Sequence, residues 1–338
     1  MSKFMKSLCK IAIPVTVQSM LQASFSIIDQ VMIGQLGETN IAAVGLCGNF
    51  SLIFSVVIGA VGTVAGILMA QFIGADDSKE VWCSFDISLI CGLIISAIFL
   101  FASGLFPAQI LGLYTKDMRI INVGAIYFKI IAFSYVPMAV SIILSSWLRC
   151  KEYAAISLLA SFGAVVVNTG LNYILIFGKF RFASMGIKGA AIATLISQLF
   201  NLVCISIGFI VCIQKDEDKP VLSFHFEKIS LGDYFIMIMP ILVSEFLWSL
   251  GQNVESAVYG HLGTSNLAAS TLTCPIQGLI VGALSGLSAA AGVMVGKRLG
   301  RKEYDEAYTE SKKIMYAGLI GAVVVSALLI LLSGTYTS

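Results

Sequence analysis

From residue 41 to residue 73 the chain runs without a charged side chain, and eight further stretches are almost as poor in charge. A hydrocarbon crossing needs about 20 consecutive apolar residues. Any backbone placed there must satisfy its own hydrogen bonds, which selects helices. The pattern predicts an all-α polytopic membrane protein with nine transmembrane helices at about 8–33, 41–73, 83–104, 122–146, 153–177, 187–213, 234–258, 267–296 and 312–332. Composition agrees. Only 12% of the 338 residues are charged, against about 25% in soluble domains, and the mean hydropathy is +0.92. A lipid bilayer is therefore the expected solvent. The net charge of +2 gives no basic surface for nucleic acid. The eight cysteines are scattered, without a C-x-x-C pair, so neither a disulfide framework nor a zinc site is expected. The apolar run after MSKFMKSLCK ends in VMIGQLG and reads as a first crossing, not a cleaved leader.

Lysine and arginine set the orientation, because they gather on the cytoplasmic side. Lys116, Arg119, Lys179, Arg181 and Lys188 fall on one side, Lys129 lies inside a crossing, and the rest of the 21 fall on the other. The N-terminus is thus expected in the cytoplasm and the protein in the cell inner membrane. The longest polar connection, QKDEDKPVLSFHFEKISLGD, marks 214–233 as a cytoplasmic linker between a six-helix lobe at 1–213 and a further unit at 234–338.

That further unit copies the first. Residues 14–80 recur at 240–306 at a constant offset of 226, so that Pro14, Gly34, Gly37, Asn40, Gly66 and Gly74 face Pro240, Gly260, Gly263, Asn266, Gly292 and Gly300. Six helices precede the second copy, so both copies enter the membrane from the same side. The expected fold is a parallel repeat of six-helix bundles about an axis along the membrane normal. The first lobe is complete, and the second is represented by its first three helices. A full second lobe would extend about 100 residues beyond Ser338, which suggests a C-terminally truncated or fragmentary chain.

Ionisable groups at membrane depth are costly and face a cavity or a partner. Asp29, late in the first crossing, is a candidate cation or proton site; the alternative is a carboxylate paired locally near the interface. Asn168 and Asn172 are four apart on one face of the fifth crossing, as neutral ligands or as helix–helix contacts. Glu245 is the deepest carboxylate, and Trp248, one turn on, can stack on an organic cation or face lipid. Glu255 is the repeat counterpart of Asp29, or an interfacial anion. Gln22 is a candidate for the same cavity. Lys129 is a cavity charge or a snorkelling side chain.

Four segments resemble the multidrug and toxic compound extrusion (MATE) family: IDQVMIGQLGETNIAAVG, SSWLRCKEY, NTGLNYILIFGKFRFASMGIKGAAIAT and VYGHLGTSNLAAS. The resemblance implies a secondary active antiporter, not an enzyme, with no cofactor. It would export cationic or amphipathic organic compounds in exchange for Na⁺ or H⁺. Asp29 matches the family's acidic residue of the first helix and Asn168 its asparagine of the fifth, both in ion coupling. Asn172 stands where many members carry aspartate. Glu245 and Trp248 match an N-E-x-x-W-like run, here S-E-F-L-W. Gln22 and Glu255 complete the substrate-binding candidates. The full-length protein is expected to act as a monomer. The alternatives are an inactive fragment of such a transporter and a lipid-linked sugar flippase of related architecture, for which the single embedded lysine is a poor match.

Overall fold

A computed structural model describes residues 3–180, 183–216, 231–261 and 264–336. Among them the chain forms eleven α-helices: α1 (Lys3–Gly34), α2 (Glu38–Gly74), α3 (Ser78–Leu105), α4 (Pro107–Gly112), α5 (Met118–Ile131), α6 (Tyr135–Cys150), α7 (Ala154–Phe177), α8 (Ile187–Lys215), α9 (Leu231–His261), α10 (Thr264–Gly300) and α11 (Tyr304–Tyr336). Seven spans among the described residues are long and apolar enough to cross a membrane: 4–34, 38–74, 78–105, 118–150, 154–177, 187–215 and 280–300. A shorter apolar helix covers Tyr234–Trp248. Most of the expected 214–233 linker lies outside the described residues.

The fourth crossing differs from the uninterrupted helix expected at 122–146. It is α5 and α6 joined by a 3₁₀ turn at Ala132–Ser134. Pro137 lies just beyond the turn and has no N–H to offer the preceding carbonyls, which weakens the helical ladder at that point. The Ser134 hydroxyl donates to the Ile131 carbonyl at 2.6 Å and satisfies one acceptor there. The short α4 is a second departure. Pro107 at its first turn favours a helix start, and buried Leu111 of α4 packs against α5 at Gly124.

The repeat is written in the backbone of the turns. After α2, the amides of Ala75, Asp76 and Asp77 donate to the carbonyls of Gln71, Ile73 and Phe72. After α10, the amides of Arg301, Lys302 and Glu303 donate to Lys297, Leu299 and Arg298, the same three bonds at the same offset. Asp76 (φ 58°) and Lys302 (φ 62°) occupy the left-handed position that closes a helix in this way. The α6–α7 turn repeats the design a third time, with Glu152 at φ 64°.

Packing follows from the choice of solvent. Trp82, Phe85, Trp147 and Phe209 pack together where α3, α6 and α8 meet, with Phe85 and Phe209 stacked and Trp147 fully buried. Outward, Leu199, Val203, Ile207 and Ile210 form an exposed stripe along α8 at helical spacing, a surface suited to lipid. α10 lies against α1 and α2. A β-carbon on Gly286 would overlap the Ala12 carbonyl, so this approach requires glycine. The hydroxyls of Ser88 and Tyr234 share a 2.8 Å hydrogen bond that ties α3 to α9.

Candidate functional site

Two cavities open inside the bundle formed by the first eight helices. The larger, about 590 Å³, is lined by α1, α2, α5, α6 and α8 and contains Asp29. Among the described residues its lining includes Ser51, Tyr127, Tyr135, Thr194 and Gln198, but no lysine or arginine. The smaller, about 280 Å³, is lined by α1, α6, α7 and α8 and contains Gln22, Asn168 and Arg149. Met138 and Gln198 line both, so the two are neighbours.

Asp29 is joined to α7 by a chain of side-chain hydrogen bonds. The Asn172 Nδ2 donates to Asp29 Oδ1 at 2.6 Å and to Asn168 Oδ1 at 2.7 Å. The Asn168 Nδ2 in turn donates to Ser197 Oγ at 3.1 Å and Thr194 Oγ1 at 3.3 Å on α8. Both asparagines are buried, at 1% and 0% exposure. The carboxylate fixes the amide orientation, since the flipped group would set an amide oxygen against a carboxylate oxygen. Asn172 Oδ1 is thereby left buried with no hydrogen-bond partner. A carboxylate, an idle amide oxygen and a threonine hydroxyl together favour a hard cation or a proton.

Asn172 thus bonds Asp29 directly, Asn168 is linked to it only through Asn172, and Gln22 lines the adjoining cavity. Glu245 and Trp248 lie elsewhere: both are exposed on α9, Trp248 at 51%. The Glu255 side chain lies outside the described residues. Lys129 is exposed and lines neither cavity, which removes the cavity-charge alternative and leaves a surface position.

Sequence reasoning passed over Tyr127, Thr194 and Arg149. Tyr127 is buried against the Asp29 cavity. Its signal was a phenol inside an apolar helix, which needs a polar neighbour. Arg149, within SSWLRCKEY, lines the smaller cavity.

Beyond the cavities, one end of the bundle is held by charge. The Glu152 carboxylate pairs with Lys10 of α1 at 3.5 Å and with Lys297 of α10 at 3.6 Å. Nearby, the Tyr153 hydroxyl donates to Asp216 Oδ1 at 2.8 Å. This bond holds the phenol proton and pushes the tyrosine up to about 12.

Among the described residues, an all-helical fold with seven spans apolar enough to cross a membrane is that of a multi-pass membrane protein. Comparison with known proteins supplies the family. The sequence profile of the MatE family matches residues 14–174 and 240–338, and the chain belongs to that family. Among its relatives, an uncharacterised transporter, YisQ of Bacillus subtilis (strain 168), is 23% identical over 332 residues, covering 97% of this chain and 72% of the relative. A probable multidrug resistance protein NorM of Photorhabdus laumondii is 26% identical over 340 residues, covering 99% and 73%. Among solved structures, a MATE protein in complex with MaL6 superposes with a TM-score of 0.85 at 19% identity, covering 98% of this chain and 73% of that one. A MOP superfamily transporter from Pyrococcus furiosus gives 0.84 at 20% identity, covering 98% and 72%. At these identities the structures establish the fold.

Proposed function

We propose that this chain forms the core of a secondary antiporter that exports cationic or amphipathic organic compounds in exchange for Na⁺ or H⁺. The observation that carries the reading is the Asp29 cluster: a carboxylate on an internal cavity without basic side chains, beside a buried amide oxygen that lacks a donor. Occupancy by a cation or proton neutralises Asp29 and supplies the missing partner for Asn172. A ligand shifts an equilibrium only through its different affinity for two states, and this charge change at the bundle interior provides one. The NorM relative's name supports an organic-compound substrate.

The coupling residues in this reading are Asp29, Asn168 and Asn172. Gln22, Glu245, Trp248 and Glu255 serve substrate in the assembled transporter. In this reading the exposed Glu245 and Trp248 on α9 face substrate. The two repeats are the moving bodies, a six-helix lobe and the first three helices of a second, joined by the 214–233 linker in a nine-crossing chain. The basic end that carries Lys10, Lys151 and Lys297 faces the cytoplasm, in the cell inner membrane, and the protein acts as a monomer. A potential of about 100 mV then contributes about 2.3 kcal/mol per charge moved inward.

The test uses proteoliposomes containing the chain and a fluorescent organic cation. Dye movement that requires a Na⁺ or pH gradient and disappears in Asp29→Asn is the expected result. Movement that is unchanged in Asp29→Asn removes Asp29 from coupling. No movement under either gradient removes the antiport reading for this chain.

A further inference from the structure

The Arg149 cavity has the opposite electrical character to its neighbour. Arg149 is half-buried in the last turn of α6, where it lines the smaller cavity. Among the described residues, no aspartate or glutamate lines that cavity. The guanidinium donates to Ser146 Oγ at 2.8 Å, a neutral partner on its own helix. Glu152, the nearest acid in sequence, directs its two oxygens to Lys10 and Lys297 instead. A helix C-terminus eases the burden of a cation. It does not neutralise a charge withdrawn from water, which ordinarily calls for a counter-charge.

Two further side chains bear on the same space. Ser141 lines the cavity, is 4% exposed, and its hydroxyl has no hydrogen-bond partner. Asn201 also lines it, and its buried Oδ1 is likewise without a partner. A planar fork of donors, an idle hydroxyl and an idle amide oxygen describe a receptor for an acid group with a donor nearby. Guanidinium matches two oxygens of a carboxylate or phosphate at once. The volume of about 280 Å³ admits such a group together with a small ring system, which is far more than a bare halide needs.

We propose that this cavity is an oxyanion subsite, in which Arg149 binds a carboxylate or phosphate while Ser141 and Asn201, farther along the cavity, form hydrogen bonds to the rest of the same molecule. The bound group belongs either to a soluble organic acid or to a lipid head group. The subsite adds to the cation-exchange reading and does not depend on it.

The test is equilibrium binding to the purified 338-residue chain in neutral detergent, so its outcome is separate from transport. The probe is 6-hydroxy-2-naphthoate, followed by fluorescence anisotropy, with its methyl ester as the uncharged control. The expected result is saturable binding of the acid, at least tenfold weaker binding of the ester, and at least a tenfold loss in Arg149→Gln. Arg149→Lys falls between, and Ser141→Ala weakens binding several-fold. In a second arm, mass spectrometry measures phosphatidylglycerol retained through purification. Retention that falls in Arg149→Gln, with naphthoate binding only after the lipid is stripped, supports the subsite with lipid as its source. Acid and ester binding alike to the unaltered protein, with lipid retention indifferent to Arg149, overturns the proposal. Should Arg149→Gln fail to fold, Arg149→Lys and Ser141→Ala carry the test, and unchanged acid affinity in both overturns it.

Discussion

Gly74 of α2 lies directly against the backbone carbonyl of Lys297 on α10, so closely that a β-carbon on Gly74 would overlap that carbonyl. The repeat returns the contact in mirror role: a β-carbon on Gly300 would overlap the carbonyl of Gln71. Gly74 and Gly300 are repeat counterparts, as are Gln71 and Lys297. One local two-fold therefore relates both contacts, and the two copies of the sequence meet through it.

Gly74→Ala and Gly300→Ala are accordingly expected to force α2 and α10 apart. Backbone on the far side cannot turn aside like a flexible side chain. Each substitution should cost about 1–3 kcal/mol, the usual range for overpacking. Thermal unfolding of the purified variants measures this. Because both act on one interface, the double variant should lose less than the sum of the singles. Gly292→Ala serves as control, since nothing lies within 4 Å of the position a β-carbon would take there.

At the Asp29 cluster, Asn172→Ala removes the donor to the carboxylate. A hydrogen bond to a charged group contributes about 1.5–3 kcal/mol, so ion affinity should change by roughly ten- to a hundredfold. Asn172→Asp instead adds a second carboxylate. It should raise the proton or cation affinity of the pair, because like charges resist joint ionisation. The concentration of Na⁺, or the pH, at half-maximal dye movement reads both variants. Equal midpoints in all three proteins would place Asn172 outside the ion site.

Much of this architecture was legible before any coordinates. Apolar runs with few charges located the helices, because lipid leaves the backbone no alternative. Asn168 and Asn172 could be placed on one face by spacing alone. What spacing cannot convey is which face a helix turns inward. Glu245 is deep in its apolar run, yet the neighbours of α9 leave it exposed. Arg149 stands at the charged end of an apolar run, and only the meeting of α1, α6, α7 and α8 shows it lining a cavity. The 3₁₀ turn before Pro137 was hidden for a related reason: proline near the start of a helix and proline within one have the same sequence signature.

Glu152 gathers α1, the α6–α7 turn and α10 at the basic end through Lys10 and Lys297. Its backbone is in the left-handed region, where a residue other than glycine is strained. Glu152→Gly should relieve the backbone but lose both ion pairs, whereas Glu152→Gln loses the pairs alone. Partly exposed pairs contribute about 0–1 kcal/mol each and are screened by salt. The gap in thermal stability between Glu152→Gln and the unaltered protein should therefore narrow in high salt. Glu152→Gly should match or exceed Glu152→Gln at every salt concentration.

The Tyr153–Asp216 bond gives a dependence on alkaline pH. The Asp216 carboxylate accepts the phenol hydrogen and raises the tyrosine to about 12. An unfolded tyrosine titrates near 10. A group with a raised folded value stabilises the native state below its unfolded value. That contribution is lost as pH climbs through the folded value, so the window here runs from about 10 to 12. The magnitude is small, because the pair is near the surface. Asp216→Asn removes the charged acceptor and should return Tyr153 toward 10. A difference titration of phenolate absorbance between the two proteins isolates one tyrosine among the 11. Superimposable curves would show that Asp216 does not hold the Tyr153 proton.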